Sequence, residues 1–360
     1  MGRKGGIGIR ELAAELGMSI STVSRAMNSR AEVSAETRAR VRAAAERLGY
    51  QPNHSGRTLR RGITGTVALV MQTNTARTEM GETFYFSLCN GLQQVLATQS
   101  LDLMLLPVGP STDPDQFLVN AVDRHVADAF IISNTRPADR RVEFLAERAV
   151  PFVTLGRGGT AEHAWLDLDF EGVAAQSVER LLALGHERIA LASDDRDINS
   201  TSEFIHGYRR TLAEHDVPVE HTWEIRVPDS PEGGAMLAEH LLEMPVCPTA
   251  VVLAQETLAL GLYRRLHRAG VRPGRDLAVV GFRKNPVCEY LEPSLTSFEV
   301  SLEDYGKRLG EIVLDQLSPS GRGECGRQEV WSMAVAPGDS DSYSPRTTRR
   351  LMSGSTTAAR

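Results

Sequence analysis

Between Ile20 and Asn28 the chain gathers side chains suited to reading a nucleic acid: Ile20, Ser21, Thr22, Ser24, Arg25 and Asn28. A guanidinium such as that of Arg25 can bond guanine O6 and N7 together, and short hydroxyls and amides reach phosphate oxygens. Ser34 and Thr37 add two further hydroxyls a few residues on. Ile20, Ser21 and Arg25 are the expected base readers; Thr22, Ser24, Asn28, Ser34 and Thr37 are the expected phosphate holders.

These side chains need rigid helices to carry them. Ile9, Leu12, Ala13 and Leu16 recur at i, i+3, i+4 and i+7, one apolar stripe of a short helix that Gly17 should end in a left-handed turn. Ser19 or Ser21 can cap the next helix, with Val23 and Met27 inward and the polar, cationic face outward. Ser34 can cap a third, with Val41, Ala44, Ala45 and Leu48 buried and Gly49 as its stop. This is a helix-turn-helix followed by a supporting helix. The plainer reading, a solvated helical hairpin, leaves the basic segment His54 to Gly62, with its single leucine, unexplained.

Charge divides the chain at the same place. Residues 1–62 hold 12 Lys and Arg against 5 Asp and Glu, net +7, while the remainder holds 28 against 41, net −13. A cationic head can release counterions from phosphates while an acidic body avoids non-specific adhesion to the duplex.

Past Thr66, short β-rich runs alternate with helical patterns: strands at 67–71, 101–106, 129–132, 151–155, 189–192, 250–253 and 277–281, helices near 84–98, 114–126, 172–184, 202–215 and 257–269. This predicts an α/β body with two parallel sheets, hence two lobes, and a ligand site beyond the strand carboxyl ends. Candidate ligand residues are Phe84, Tyr85, Phe86, Trp165 and Phe204 as stacking faces, Asp169, Gln255 and Glu256 as hydroxyl acceptors, and Arg157 and Arg283 as cations. The plainer reading makes the phenylalanines core and the cations solvated.

Enzyme chemistry finds little support: GxSxG, GxxxxGK[ST] and HExxH are absent, and Gly156-Arg157-Gly158-Gly159 lacks the spacing of a dinucleotide loop. Cys89, Cys247, Cys288 and Cys325 are scattered, without a CxxC pair or neighbouring histidines, which points to reduced thiols and neither a metal nor a cofactor. No apolar run is long enough to span a membrane and no signal-like start appears, so the expected compartment is the cytoplasm, with no membrane partner.

Three motifs in order, Ser21-Thr22-Val23-Ser24-Arg25-x-x-Asn28, Val33-Ser34-x-x-Thr37-Arg38 and Leu48-Gly49-Tyr50-x-Pro52-Asn53, resemble the headpiece of the LacI/GalR family. Leu184 to Ala190, Gly207-Tyr208-Arg209, Leu258 to Gly261, Asp276 to Phe282 and Pro293 to Ser297 extend the resemblance to about residue 336. It implies an all-α headpiece (1–52), a hinge helix (53–62), a two-lobed periplasmic-binding-protein-like effector and dimerisation domain (63–336) and a disordered tail (337–360). Three inter-lobe crossovers are implied, with the strand and helix at about 293–318 returning to the first lobe.

The resemblance implies an allosteric repressor, with an activator of the same architecture as the alternative. A homodimer would bind a palindromic double-stranded operator, with Asn53 and Arg57 at the hinge and Leu59 wedged into the minor groove. Gly56 stands where the family usually has alanine; glycine costs a helix interior about 1 kcal/mol, so the hinge is expected to be disordered off DNA. Phe204, Arg283 and Gln255-Glu256 depart from the family's ligand positions. Two effector classes stay open: a neutral sugar, favoured by similarity to the family's α-glucoside-responsive branch at Phe84 to Phe86, 131–137, 151–154 and 163–165, or an anion gripped by Arg157, Arg283 and Lys284.

Overall fold

The computed structural model describes residues 7–27, 33–50, 63–73, 83–318 and 326–342. Its contacts divide the chain into two units, Met1–Thr64 and Gly65–Arg360.

The first unit is helical: α1 (Ile9–Leu16), α2 (Ile20–Met27) and α3 (Ala35–Arg47). The Gly8 amide donates to Glu11 Oε2 at 2.6 Å, giving α1 a defined start. Gly17 ends it at φ 63°, the left-handed conformation expected of a glycine stop. Ser19, rather than Ser21, starts α2: its hydroxyl accepts from the Thr22 amide at 3.1 Å. Ser34 caps α3 through the Thr37 amide as expected. Leu12, Val23, Ala26, Val41, Ala44 and Ala45 form the core of this unit, with Ile9, Leu16, Met27 and Leu48 partly buried around it. Ala26 thus takes the fully buried place on α2 that the sequence pattern gives to Met27.

The second unit holds two six-stranded sheets. The first lobe is built from β1 (Thr66–Gln72), α4 (Thr83–Ala97), β2 (Asp102–Val108), α5 (Pro114–Asp123), β3 (Ala129–Ile132), α6 (Arg140–Glu147), β4 (Phe152–Leu155) and β5 (Ala164–Leu168). The second follows with α7 (Phe170–Ala183), β6 (Ile189–Asp194), α8 (Asn199–Glu214), β7 (Glu224–Val227), α9 (Pro231–Glu243), β8 (Ala250–Leu253), α10 (Thr257–Arg268), β9 (Ala278–Arg283) and β10 (Thr296–Glu299). The chain closes with α11 (Leu302–Leu317), β11 (Gln328–Trp331) and β12 (Ala334–Ala336).

Strand order is β11-β5-β4-β3-β1-β2 in the first sheet and β12-β10-β9-β8-β6-β7 in the second, parallel throughout except for β12 against β10. The central strands read as unbroken apolar runs, Ala129–Ile132 and Ala250–Leu253, because helices cover both faces and every residue is buried. The chain crosses between lobes three times, as expected, but one expected detail differs. β10 stays in the second sheet, and of the 293–318 segment only the helix returns to the first lobe, where α11 packs on α4 so closely that a Cβ at Gly306 would lie 2.1 Å from the Leu88 carbonyl oxygen.

The body also runs past residue 336. Ser340 and Asp341 are buried: the Val279 amide donates to Ser340 O at 2.9 Å, Thr296 Oγ1 donates to Asp341 Oδ1 at 2.8 Å, and Arg180 pairs with Asp341. Residues 337–342 are therefore a strap sealing the second lobe rather than the start of a disordered tail, because a buried carboxylate with a cation and a hydroxyl on it fixes the backbone that carries it. Residues 343–360 lie outside the described residues, as do Gly56 and the hinge.

Candidate functional site

The exposed face of α2 carries Ile20 (42 % exposed), Ser21 and Arg25, with Thr22 and Ser24 half-buried beside them. The hydroxyls of Ser21 and Thr22 each lie 2.8 Å from Ser19 Oγ, so the capping serine also orders the start of this face. Ser34 and Thr37 share a hydroxyl contact of 2.9 Å at the start of α3. An exposed isoleucine and an arginine on one short helix, with hydroxyls at its start and at the start of the following helix, are the side-chain types with which a recognition helix contacts base edges and phosphates. Asn28, Asn53, Arg57 and Leu59 lie outside the described residues.

In the second unit a cavity of about 220 Å³ is lined by both lobes. Its walls are strand ends and the turns after them: Ser133 to Thr135 after β3, Leu155 and Gly156 at β4, Asp167 and Leu168 at β5, Arg196 and Ile198 after β6, Gln255 and Glu256 after β8, and Phe282 and Arg283 at β9. Helix starts contribute Phe84, Tyr85, Phe170, Ser200 and Thr257; Tyr305 enters from α11, and Asn285 to Val287 complete the lining. This is where parallel α/β sheets present their ligand sites.

Five of the ten expected ligand residues meet here: Phe84, Tyr85, Gln255, Glu256 and Arg283. The other five do not, each for a local reason. Phe86 is 74 % exposed, since successive residues on a helix point about 100° apart and cannot all face one cleft. Phe204 is 1 % exposed and packs edge-to-face on Phe282 at 6.0 Å, backing the wall from behind. Asp169 is spent as the N-cap of α7, accepting from the Gly172 amide at 2.9 Å. Arg157 and Trp165 lie beside each other, guanidinium over indole at 5.7 Å, outside the lining.

The residues that sequence reasoning missed are Asp167, Phe170, Arg196 and Phe282. Their signal was position, at or just past the carboxyl end of a strand, but β5 is short and mixed in character and carries no apolar run. Phe170 and Phe282 stack at 4.8 Å with 9° between their planes, an apolar wall across the point where the chain passes from one lobe to the other.

Asp167 is a carboxyl of the lining whose ionisation the fold perturbs strongly. Burial pushes its carboxyl up to about 6, although Arg157 donates from Nε at 3.0 Å and from its amide at 3.3 Å. Arg157 divides its charge with Glu203 on α8, Nη1 to Oε2 at 3.2 Å, so its pull on Asp167 falls short of the desolvation cost. That second pair joins the lobes, as does the Asn199 amide of α8 donating to the Thr135 carbonyl at 2.8 Å. In the second lobe Arg283 pairs with Glu256, both side chains under a tenth exposed, and lies 5.4 Å from the Phe84 ring. Asp194 holds Arg196 through both carboxylate oxygens; burial opposes the Asp194 charge, but the Arg196 hydrogen bonds keep its carboxyl below the ordinary range. Among the described residues no group of three His, Cys, Asp or Glu could hold a metal, and no helix is long and apolar enough to cross a membrane.

Residues 8–53 match the family model "Bacterial regulatory proteins, lacI family", and residues 178–340 match "Periplasmic binding protein-like domain". The chain is 30 % identical over 332 residues to the HTH-type transcriptional regulator AglR of Rhizobium meliloti (strain 1021), covering 90 % of this chain and 91 % of that one. The chain belongs to the lacI family of bacterial regulatory proteins. The HTH-type transcriptional regulator CelR of Thermobifida fusca is also 30 % identical, over 310 residues, 85 % of this chain and 91 % of that one. Among solved structures, a lac repressor dimer bound to operator and an anti-inducer superposes with a TM-score of 0.81 at 21 % identity, over 93 % of this chain and 99 % of that one. A CelR–cellobiose complex superposes at 0.70 with 27 % identity and the same coverages. This lacI-family member is a DNA-binding transcriptional regulator, and its relatives are regulators rather than enzymes.

Proposed function

We propose that this lacI-family regulator is a homodimeric repressor whose grip on an approximately palindromic operator is set by a neutral sugar bound between its lobes. The observation that carries the ligand class is the charge of the lining. Its charged residues are Asp167, Glu256, Arg196 and Arg283, two of each sign, with Arg283 already paired to Glu256 and Arg196 to Asp194. The other cations that an anionic ligand would need lie elsewhere: Arg157 is held by Asp167 and Glu203, and Lys284 by Glu289. An apolar wall with a few fixed polar groups and no net charge suits a polyhydroxy ring. The CelR neighbour was solved with cellobiose, itself a neutral disaccharide.

In this reading the headpiece is residues 1–52, the hinge 53–62 and the effector-binding and dimerisation body follows from residue 63. Ile20, Ser21 and Arg25 read bases; Thr22, Ser24, Asn28, Ser34 and Thr37 hold phosphates; Asn53, Arg57 and Leu59 act at the hinge. Two copies place two headpieces on half-sites about one helical turn apart. Ligand binding changes the set of the lobes and so the strain on the hinge, with a coupling energy that acts equally on sugar and DNA.

The test is calorimetry of the full chain with maltose, cellobiose and a set of phosphosugars, alone and on an operator selected from random duplexes. A neutral sugar should bind and shift operator affinity by the factor by which operator shifts sugar affinity. Tighter binding of a phosphosugar would overturn the ligand class.

A further inference from the structure

The four charged residues of the cavity differ in how much of each is still accessible. Asp167, Glu256 and Arg283 have side chains 2 %, 9 % and 8 % exposed, closed off by their partners and neighbours. Arg196 is 34 % exposed. Its anchor is the reverse: Asp194, 1 % exposed, accepts from Arg196 Nε at 3.1 Å and 2.9 Å and from Nη2 at 2.5 Å, and from the Arg196 amide at 3.0 Å. One edge of the guanidinium is thereby fixed on a buried carboxylate at the end of β6.

A guanidinium has five N–H donors. Asp194 uses Nε–H and one Nη2–H, and no described residue takes a hydrogen bond from Nη1. The outer edge, one Nη1–H and one Nη2–H side by side, is left as a planar fork held at a fixed angle, and the second Nη1–H points back along the side chain. The positive charge behind it is cancelled by Asp194. Such a fork suits two adjacent neutral oxygens better than a carboxylate or phosphate, whose desolvation would go without a net opposite charge.

We infer that Arg196 is a ligand-specificity residue of this cleft, donating through that free edge to two neighbouring hydroxyl oxygens of the sugar, with Asp194 as its positioning residue. The inference rests on reading the cleft as a sugar site. It assigns Arg196 a contact that Arg283, closed against Glu256, is not arranged to make.

The test titrates the full chain, its Arg196→Gln and Arg196→Lys variants and an Arg265→Gln control, on α10 away from the lining, with D-glucose, maltose, cellobiose and 2-deoxy-D-glucose. Arg196→Lys keeps the charge that Asp194 needs but loses the fork, and thermal melts confirm that each variant is folded. For the sugar that binds the parent, Arg196→Gln should weaken affinity by about tenfold or more, since two bonds from a charged donor are lost. Arg196→Lys should weaken it by about fivefold. Arg265→Gln should match the parent. Equal affinity of parent and both Arg196 variants, within about twofold, overturns the inference while leaving the sugar site standing. Failure of every sugar to bind the parent overturns the site reading and the inference with it.

Discussion

Asp167 supplies the sharpest quantitative test, because its ionisation state is set by where the fold buries it. Its carboxyl is raised from an ordinary 3.8 to about 6, with burial as the leading cause. At about 1.36 kcal/mol for each pKa unit, the ionised folded state carries a cost of about 3 kcal/mol. Below pH 4 folded and unfolded chains both hold this proton. Between pH 4 and pH 6 the unfolded chain releases it and the folded chain keeps it, so this residue's contribution to stability falls as pH rises through that window and is level above it. Asp167→Asn removes the effect while leaving Arg157 paired with Glu203. Carboxylates such as Asp139 and Asp194, whose pKa values are lowered, slope the other way but are common to both proteins and cancel in the difference. Urea unfolding followed by the fluorescence of Trp165, Trp223 and Trp331, all in the body, measures that difference directly. Relative to the parent, the variant should gain about 3 kcal/mol between pH 4 and pH 7. A flat difference, or one of opposite sign, would mean that Arg157 outweighs burial and would refute the argument.

Three further outcomes follow. Arg25→Ala should cost about 1–3 kcal/mol of operator binding and relax discrimination at one base pair, as read by gel shift on single-base operator variants; equal loss on random duplex would remove its base-reading role. Glu203→Gln breaks the Arg157 link between lobes, a partly shielded pair of about 0.5–1 kcal/mol, and should widen the ligand-free body in small-angle scattering. That difference should fade as salt weakens the same pair in the parent, and identical profiles at low salt would count against the link. Asp341→Ala leaves Arg180 and Thr296 without their buried acceptor and should lower stability by about 1–3 kcal/mol in urea melts; an unchanged midpoint would return residues 337–342 to the status of a tail.

The headpiece was legible because its information is local. A glycine at the left-handed position, a serine ahead of each of two helices and an apolar stripe at 3.6-residue spacing determine α1 to α3 within a few residues. The central strands were legible for a similar reason, since burial on both faces demands an unbroken apolar run. β5, β7, β11 and β12 were not: β5, β7 and β11 are short and mix polar and apolar residues, β12 has only three residues, and all four lie at or beside a sheet edge. Losing β5 meant losing Asp167 from the site.

The sequence by itself determined that this chain carries a helix-turn-helix with a cationic face, that an acidic two-lobed α/β body follows, and that ligand would enter beyond the strand ends. Only the tertiary structure decided which side chains line the cleft and in what charge state. Phe84 and Phe86 are nearly neighbours in sequence yet face apart, and Phe204 backs the wall that Phe282 forms. Arg283 and Glu256, distant along the chain, cancel each other. Secondary structure follows from interactions among near neighbours, whereas the charge and shape of a cleft follow from pairs of residues that meet only once both sheets are folded.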